Sequence, residues 1–243
     1  MKAKIDIKIL NEIRRVKNMP NKAFSKVKPR QPALPVNEWV YATLCELILH
    51  GEFVPGVTIT LRGIAESLDV SPMPVREAAS RLISEGALEV SVKRRISVSQ
   101  MTQEKFDELV LARLSLEPEL AALALPYIDS ERLKLLIDID KKLDVAISTG
   151  NIEDYTKYNC QFHFGIYEAA PSPVLLPIIK SLWLRFSPFY RIVAGRAGTQ
   201  TLDDYHEAAI DAIKAGDPVA LAKAIHEDIE EGMDMLNESI GTS

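Results

Sequence analysis

Apolar positions recur at helical spacing along most of the chain and alternate, strand-like, in only one short stretch. Val36 to Leu49 reads as a helix closed by His50-Gly51 and a Pro55-Gly56 turn. Ile64, Ala65 and Leu68 give a second helix one apolar face, and Asp69, Val70 and Ser71 break it. Ser71 is a natural N-cap for a third helix, with Pro72 and Pro74 in its first turn, where a missing backbone N–H costs least. Val75, Ala78, Ala79, Leu82 and Ile83 bury one side of that helix, and Glu85-Gly86 stops it. Two β-rich runs follow, Ala87 to Val92 and Ile96 to Ser99, with Lys93, Arg94 and Arg95 at the tip between them. Helix, turn, helix and basic hairpin in this order predict a winged helix-turn-helix. The N-terminal end of its second helix, around Arg76, meets base edges in the major groove of DNA. A cationic hairpin tip beside it suits phosphate or minor-groove contact.

After Gln100 the alternation ends. A helix from Lys105 to Leu125, opened by Thr102, carries a stripe at Phe106, Leu109, Val110, Leu114 and Leu116. Helices are predicted over Ser130 to Thr149, Ile152 to Ala169, Val174 to Ala194 with an interruption near Pro188, Leu202 to Ala215, and Pro218 to Ile240. Short connections and no strand pattern make these an antiparallel all-α bundle. At the other end, Ile5 to Val16 predicts a short amphipathic helix, and the proline-bearing stretch from Asn18 to Pro35 a flexible tether. The fold class is therefore mainly α, in three parts: a basic arm over 1–35, a winged domain over 36–100 and a helical domain over 101–243.

Charge separates along the same boundaries. The arm holds ten Lys/Arg against two Asp/Glu, net +8; residues 37–100 hold six against eight, net −2; residues 101–243 hold thirteen against twenty-four, net −11. The acidic part repels DNA and leaves contact to the winged domain and the arm, which either tracks phosphates or is a solvated tail. A nucleic-acid compactor, basic throughout, is excluded. No run of about 18 apolar residues spans a membrane, and no signal-peptide pattern opens the chain. Two cysteines, Cys45 and Cys160, make no disulfide framework and fit a reducing compartment, the cytoplasm.

Three of the four histidines, His163, His206 and His226, fall in the helical domain. Asn159 and His163 stand four apart on one helix and share a face. Three imidazoles and one oxygen donor, if they converge, suit Zn²⁺, Ni²⁺ or a similar divalent ion. Taken singly, each is more often a core or surface histidine. Cys160 is either a competing soft ligand or a buried structural thiol. No H-E-x-x-H, G-x-S-x-G or glycine-rich phosphate loop points to an enzyme.

The pattern L-x-x-R-x-I-A-x-x-L-x-V-S-x-x-P-V-R-E-A-x-x-R-L-x-x-E-G resembles the DNA-binding domain of the GntR family of bacterial transcription regulators, over about Val40 to Val98. That resemblance implies DNA contacts from Arg62, Ser71, Met73, Arg76 and the wing residues Lys93, Arg94 and Arg95; the alternative for Arg62 and Arg76 is an ordinary solvated helix face. Many relatives carry Arg or Lys at Pro72 and Thr at Met73. Met73 donates no hydrogen bond to a base, so the operator is not to be inferred from theirs. The helical domain is similar to the FCD effector domain of the FadR-type branch, through R-x-x-L-E at Arg113 to Glu117, N-x-x-F-H at Asn159 to His163, Y-H-E at Tyr205 to Glu207, and A-G-D-P…I-H toward His226. The resemblance implies a divalent metal, zinc first and nickel as alternative, held by Asn159, His163, His206 and His226. Asn159 stands where many relatives have Asp, a stronger ligand. A small carboxylate effector at or near that metal is implied too. Arg113 either forks onto its carboxylate or pairs with Glu117 or Glu108. Arg185, Tyr190 and Arg191 are further candidates for the pocket wall.

These readings imply a homodimeric, non-enzymatic repressor that binds an inverted-repeat operator on double-stranded DNA, with the effector modulating binding. The alternatives are a constitutive dimeric DNA-binding protein with a purely structural bundle and, further off, a metal-dependent hydrolase.

Overall fold

A computed structural model describes residues 24–25, 27–91, 95–197 and 205–241. The expected helix over Ile5 to Val16 and the wing residues Lys93 and Arg94 lie outside the described residues. Contacts divide the chain into two compact units, one ending at Gln100 and one running from Met101 to Thr242.

The first unit contains α1 (Val36–Leu49), α2 (Leu61–Leu68), α3 (Pro72–Ser84), β1 (Leu88–Ser91) and β2 (Arg95–Val98). Thr60 caps α2 by accepting the Gly63 N–H at 3.0 Å, and Asp69 ends it in the left-handed region at φ 52°. That residue makes the sharp turn into α3. Val75, Ala78, Ala79 and Leu82 of α3 are buried with Val40, Leu44 and Ile48 of α1 and with Ile64. Strands β1 and β2 pair antiparallel in the register Leu88 to Val98. Ile59 adds a bridge to Ile96 that the alternation in the sequence does not announce. The stretch just before α1 is less free than its prolines suggest. Phe24 is buried edge-on to Phe53, with ring centroids 6.5 Å apart.

The second unit is all helix: α4 (Gln103–Ala124), a 3₁₀ turn over Leu125–Tyr127, α5 (Ser130–Thr149), α6 (Ile152–Tyr167), α7 (Leu175–Ala197), α8 (Tyr205–Ala215) and α9 (Pro218–Gly241). Side-chain caps from Thr102, Asp129 and Asn151 start α4, α5 and α6. Helix α7 runs through Pro188 instead of breaking there. One lost backbone bond is offset where Leu182, Trp183, Leu184 and Phe186 are all buried around it. Gly165 lets α5 lie close to α6, because a Cβ there would stand 2.8 Å from Leu136 Cδ2. The buried stripe of α4 runs through Phe106, Leu109, Arg113, Glu117, Leu120 and Ala124. Val110, Leu114 and Leu116, expected on it, are only half-buried. A charged pair therefore sits in the middle of an otherwise apolar face.

Candidate functional site

In the first unit the candidate residues are on the outside. Arg62, Ser71, Met73, Arg76 and Arg95 are all exposed. Arg62 Nε holds Glu66 Oε1 at 2.9 Å across one helical turn. Arg76 has no ion-pair or hydrogen-bond partner among the described residues. Arg95 Nη1 reaches Thr58 Oγ1 at 3.4 Å. Ser71 occupies the N-cap position of α3, but its side chain makes no cap hydrogen bond. Pro74, at the third helical position, removes one of the two first-turn N–H groups that such a hydroxyl accepts, and leaves only that of Met73. The end of α3 thus offers the Ser71 hydroxyl, the apolar Met73 (62% exposed) and the Arg76 guanidinium. Behind it, Arg81 stacks its Cζ 3.7 Å over the Tyr41 ring, and Tyr41 donates to Glu85 at 2.9 Å. This clamp fixes α3 on α1.

In the second unit the candidate residues are inside. His163 on α6 and His206 on α8 face one carboxylate, Asp228 on α9. His163 Nε2 is 3.0 Å from Asp228 Oδ2, and His206 Nε2 is 3.4 Å from Asp228 Oδ1. One donor atom from each of the three lies within 4.8 Å of the other two. Asn159 is buried one turn before His163 on the same face. His226 is not in this cluster. It stands two residues from Asp228, about 200° around the helix, so one of the pair faces the bundle core only if the other does not. Asp228 takes the place expected of His226.

The cluster has the chemistry of a cation site. Donors each ~2.1 Å from one ion stand about 3.0–3.4 Å from one another at octahedral to tetrahedral angles. The two imidazole–carboxylate separations, each to a different Asp228 oxygen, fall in that range. His163 Nε2 is buried 3.0 Å from Asp228 Oδ2, close enough for a protonated ring to donate to the carboxylate or for a neutral one to share a cation with it. A neutral ring with its lone pair at Nε2 faces the Asp228 carboxylate as one acceptor against another, an arrangement that a cation bound by both relieves. Burial pushes the Asp228 carboxyl up, but the facing imidazoles of His163 and His206 lower it by more, to about 2. The anionic form is therefore the resident one. His206 has its Nδ1 3.5 Å from Asp140 Oδ1 and its ring stacked on Phe162, with centroids 4.0 Å apart.

Next to this cluster lies a second buried group. Arg113 and Glu117 form a two-pronged pair on α4: Nε to Oε1 at 2.5 Å and Nη2 to Oε2 at 3.3 Å. Of the two roles open to Arg113, the pair with Glu117 is realised. Its remaining edge, Nη1, lies 3.3 Å from Met233 Sδ, and its Cζ sits 3.9 Å over the Phe186 ring. Glu117 also accepts from Tyr167 Oη at 2.8 Å and Trp183 Nε1 at 2.9 Å. Burial and the adjacent Glu117 hold the Tyr167 phenol well above its ordinary pKa, so it keeps its proton. Cys160 is buried and its thiol is pushed up by that burial, the state of a structural thiol and not of a ligand. Arg185 is exposed on α7, and the side chains of Tyr190 and Arg191 lie outside those described.

Asp228, Asp140, Tyr167 and Trp183 had no part in the reading of the sequence. One signal for Asp228 was present. Leu221, Ala224, Ile225, Ile229 and Met233 are the buried positions of α9 among the described side chains, and Asp228 is in phase with them while His226 is not.

The chain matches the description "Bacterial regulatory proteins, gntR family" over residues 37–98 and "FCD domain" over residues 108–231, just over half its length. The HTH-type transcriptional regulator McbR of Escherichia coli strain K12 is 28% identical over 190 residues, 76% of this chain and 86% of that protein. The gluconate operon transcriptional repressor of Bacillus subtilis strain 168 is 26% identical over 199 residues, 79% of this chain and 81% of that protein. The solved structure of E. coli McbR/YncC superposes with a TM-score of 0.78 at 26% identity, covering 85% of this chain and 99% of that one. Among the described residues, no helix is long and apolar enough to cross a membrane. A winged unit and a helical unit, each matched along its length, place this chain in the gntR family of bacterial transcriptional regulators, with an FCD domain as its helical unit.

Proposed function

We propose that this regulator is a homodimeric, cytoplasmic repressor whose operator binding is modulated by a small carboxylate at a metal centre in the FCD domain. The observation that carries the reading is the convergence of His163, His206 and Asp228 in the helical unit. Those three side chains, with Asn159 as fourth donor, are the residues to hold a divalent ion, zinc first and nickel as alternative. Bound there, the ion supplies positive charge to attract and orient an anion. Asp228 reduces that charge by one relative to a site of neutral ligands, and the remainder still favours a carboxylate. Arg113 contributes less than a full fork, since Glu117 holds two of its prongs; an effector meets only its Nη1 edge, in place of or beside Met233 Sδ. Cys160 has no part in the site.

On the DNA side, Arg76, Ser71 and Met73 at the start of α3 read base edges, while Arg62 and the wing residues Lys93, Arg94 and Arg95 contact phosphates. A dimer presents two such helices to an inverted repeat. The effector must bind the DNA-competent and DNA-incompetent states unequally to act as a switch. The alternative, a constitutive binder with a structural bundle, leaves the buried His163–Asp228–His206 convergence without a purpose.

The test selects duplex DNA from a random library with purified full-length protein, with and without Zn²⁺, and measures bound zinc directly. An inverted repeat, together with zinc that is lost in a His163→Ala, Asp228→Ala variant, is the expected result. Zinc retained in that variant removes the ligand set, and sequence-blind recovery removes the operator reading.

A further inference from the structure

We propose that Tyr167, backed by Glu117, is the positioning residue that fixes His163 as its Nδ1–H tautomer and so leaves the Nε2 lone pair facing Asp228 and the metal position. The proposal rests on the metal reading above and adds to it two residues that touch no ligand themselves.

A count of protons decides the tautomer. Tyr167 Oη stands between two groups that could take its single proton: Glu117 Oε2 at 2.8 Å and His163 Nδ1 at 3.1 Å. Glu117 is a carboxylate already accepting from Arg113 and Trp183, groups that can only donate. If Tyr167 gave its proton to His163, its oxygen would face Glu117 Oε2 at 2.8 Å as one acceptor against another, in a site where Glu117 is fully buried. That arrangement carries a full unmet desolvation cost. With the proton toward Glu117, both contacts of Tyr167 are a donor facing an acceptor, provided His163 Nδ1 bears hydrogen and donates to Tyr167. A neutral imidazole protonated at Nδ1 has its lone pair at Nε2. Nε2 is the nitrogen 3.0 Å from Asp228 Oδ2, so that lone pair and the carboxylate face each other or a shared cation.

The local fold makes the relay rigid. Tyr167 follows His163 by one turn of α6, so both side chains lie on one face. His163, Tyr167 and Glu117 are each 0% exposed. Trp183 stands 5.2 Å from the His163 ring, centroid to centroid, and helps to fill the space around it. Arg113 is then the far anchor of the relay. It holds Glu117, which orients Tyr167, which orients His163. Outer hydrogen bonds of this kind fix ring orientation and raise the basicity of a ligating imidazole.

The experiment uses full-length protein carrying ¹⁵N-labelled histidine, with Zn²⁺ as probe. Long-range ¹H–¹⁵N spectra of metal-stripped protein at neutral pH read the tautomer of His163, and competition against a chromophoric chelator reads zinc affinity. Tyr167→Phe deletes one oxygen and preserves the core volume. It is expected to abolish the exclusive Nδ1–H signature and to weaken zinc binding about 10- to 100-fold. Glu117→Gln is expected to do more, because the amide that replaces the carboxylate can donate to Tyr167 and turn its proton toward His163, which shifts the ring to Nε2–H. A His163 tautomer and a zinc affinity both unchanged in Tyr167→Phe overturn the relay and leave the metal centre standing. Wild-type protein that takes up no zinc overturns both readings, so the two failures are distinct. Should Glu117→Gln not fold, Tyr167→Phe decides alone.

Discussion

The winged unit buries no charged group among its described residues, only the polar Thr43 and Ser97. The helical unit buries Arg113 and Glu117 together with Asn159, His163 and His206. Both units depend on polar side chains for what they do, but they hold them in opposite settings. In the winged unit an apolar core builds the scaffold and the reading groups project from it into water. In the helical unit the working groups are themselves part of the core, where Arg113, Tyr167 and Trp183 all donate to Glu117. The first arrangement lets base contacts change with little effect on folding. The second ties the site to the stability of the bundle, so that a change at one member is felt by all.

The largest expected effect follows from that tie. Glu117→Ala leaves the Arg113 guanidinium, the Tyr167 hydroxyl and the Trp183 N–H without their shared acceptor. Breaking a buried pair by removing one partner costs about 3–5 kcal/mol. Each unit holds one of the two tryptophans, Trp39 and Trp183. Urea unfolding followed by Trp183 fluorescence in a Trp39→Phe background therefore reads the helical unit. A loss under about 1 kcal/mol would show that the bundle does not depend on its charged stripe.

Zinc should act next, and in the same unit. A ligand present at about 100 times its Kd stabilises the folded state by ~2.7 kcal/mol. Titrating Zn²⁺ into metal-stripped protein is expected to raise the unfolding midpoint seen by Trp183 and to leave that seen by Trp39 in place. A rise in which His163→Ala, Asp228→Ala protein shares fully would place the ion elsewhere.

How much of this was legible in the sequence follows the same contrast. In the winged unit each helix carries its own apolar face, so spacing within single elements is enough: α1 has the bounds that its apolar pattern suggests, and Val75, Ala78, Ala79 and Leu82 are the buried side of α3. The Ile59 bridge was missed because a single paired residue has no period. The helical unit could be read as helices but not as a site. Its ligands come from α6, α8 and α9, and their meeting depends on how the helices pack. Residue type singles out His226, whereas helical phase on α9 points to Asp228. The Arg113–Glu117 spacing was visible as an i,i+4 pair. That Tyr167 and Trp183 would join it from other helices was not, since nothing in either residue type marks a hydrogen bond to a distant carboxylate.

On the winged side the effects move from folding to binding. Arg76→Ala is expected to cost about 1–3 kcal/mol of specific DNA binding if the side chain reaches a base, and to change stability by no more than about 0.5 kcal/mol. Fluorescence anisotropy on the selected duplex and on a scrambled one separates specific from general loss. A variant with the full preference for the selected duplex would remove Arg76 from the reading set.

The smallest effect is the most searching for the comparison. Arg62 is 87% exposed on its side chain and pairs with Glu66, itself 66% exposed. An exposed i,i+4 pair contributes about 0.3–0.5 kcal/mol, so Arg62→Ala should hardly move the unfolding midpoint. If Arg62 contacts a phosphate, the variant should bind every duplex more weakly by a similar factor, and the slope of log affinity against log salt should fall by about 1. If it reads a base, discrimination between duplexes should fall and the salt slope should change little. A loss of stability above about 1 kcal/mol would break the contrast between the two units, because an exposed residue of the winged unit would then be supporting its fold as the buried ones support the bundle.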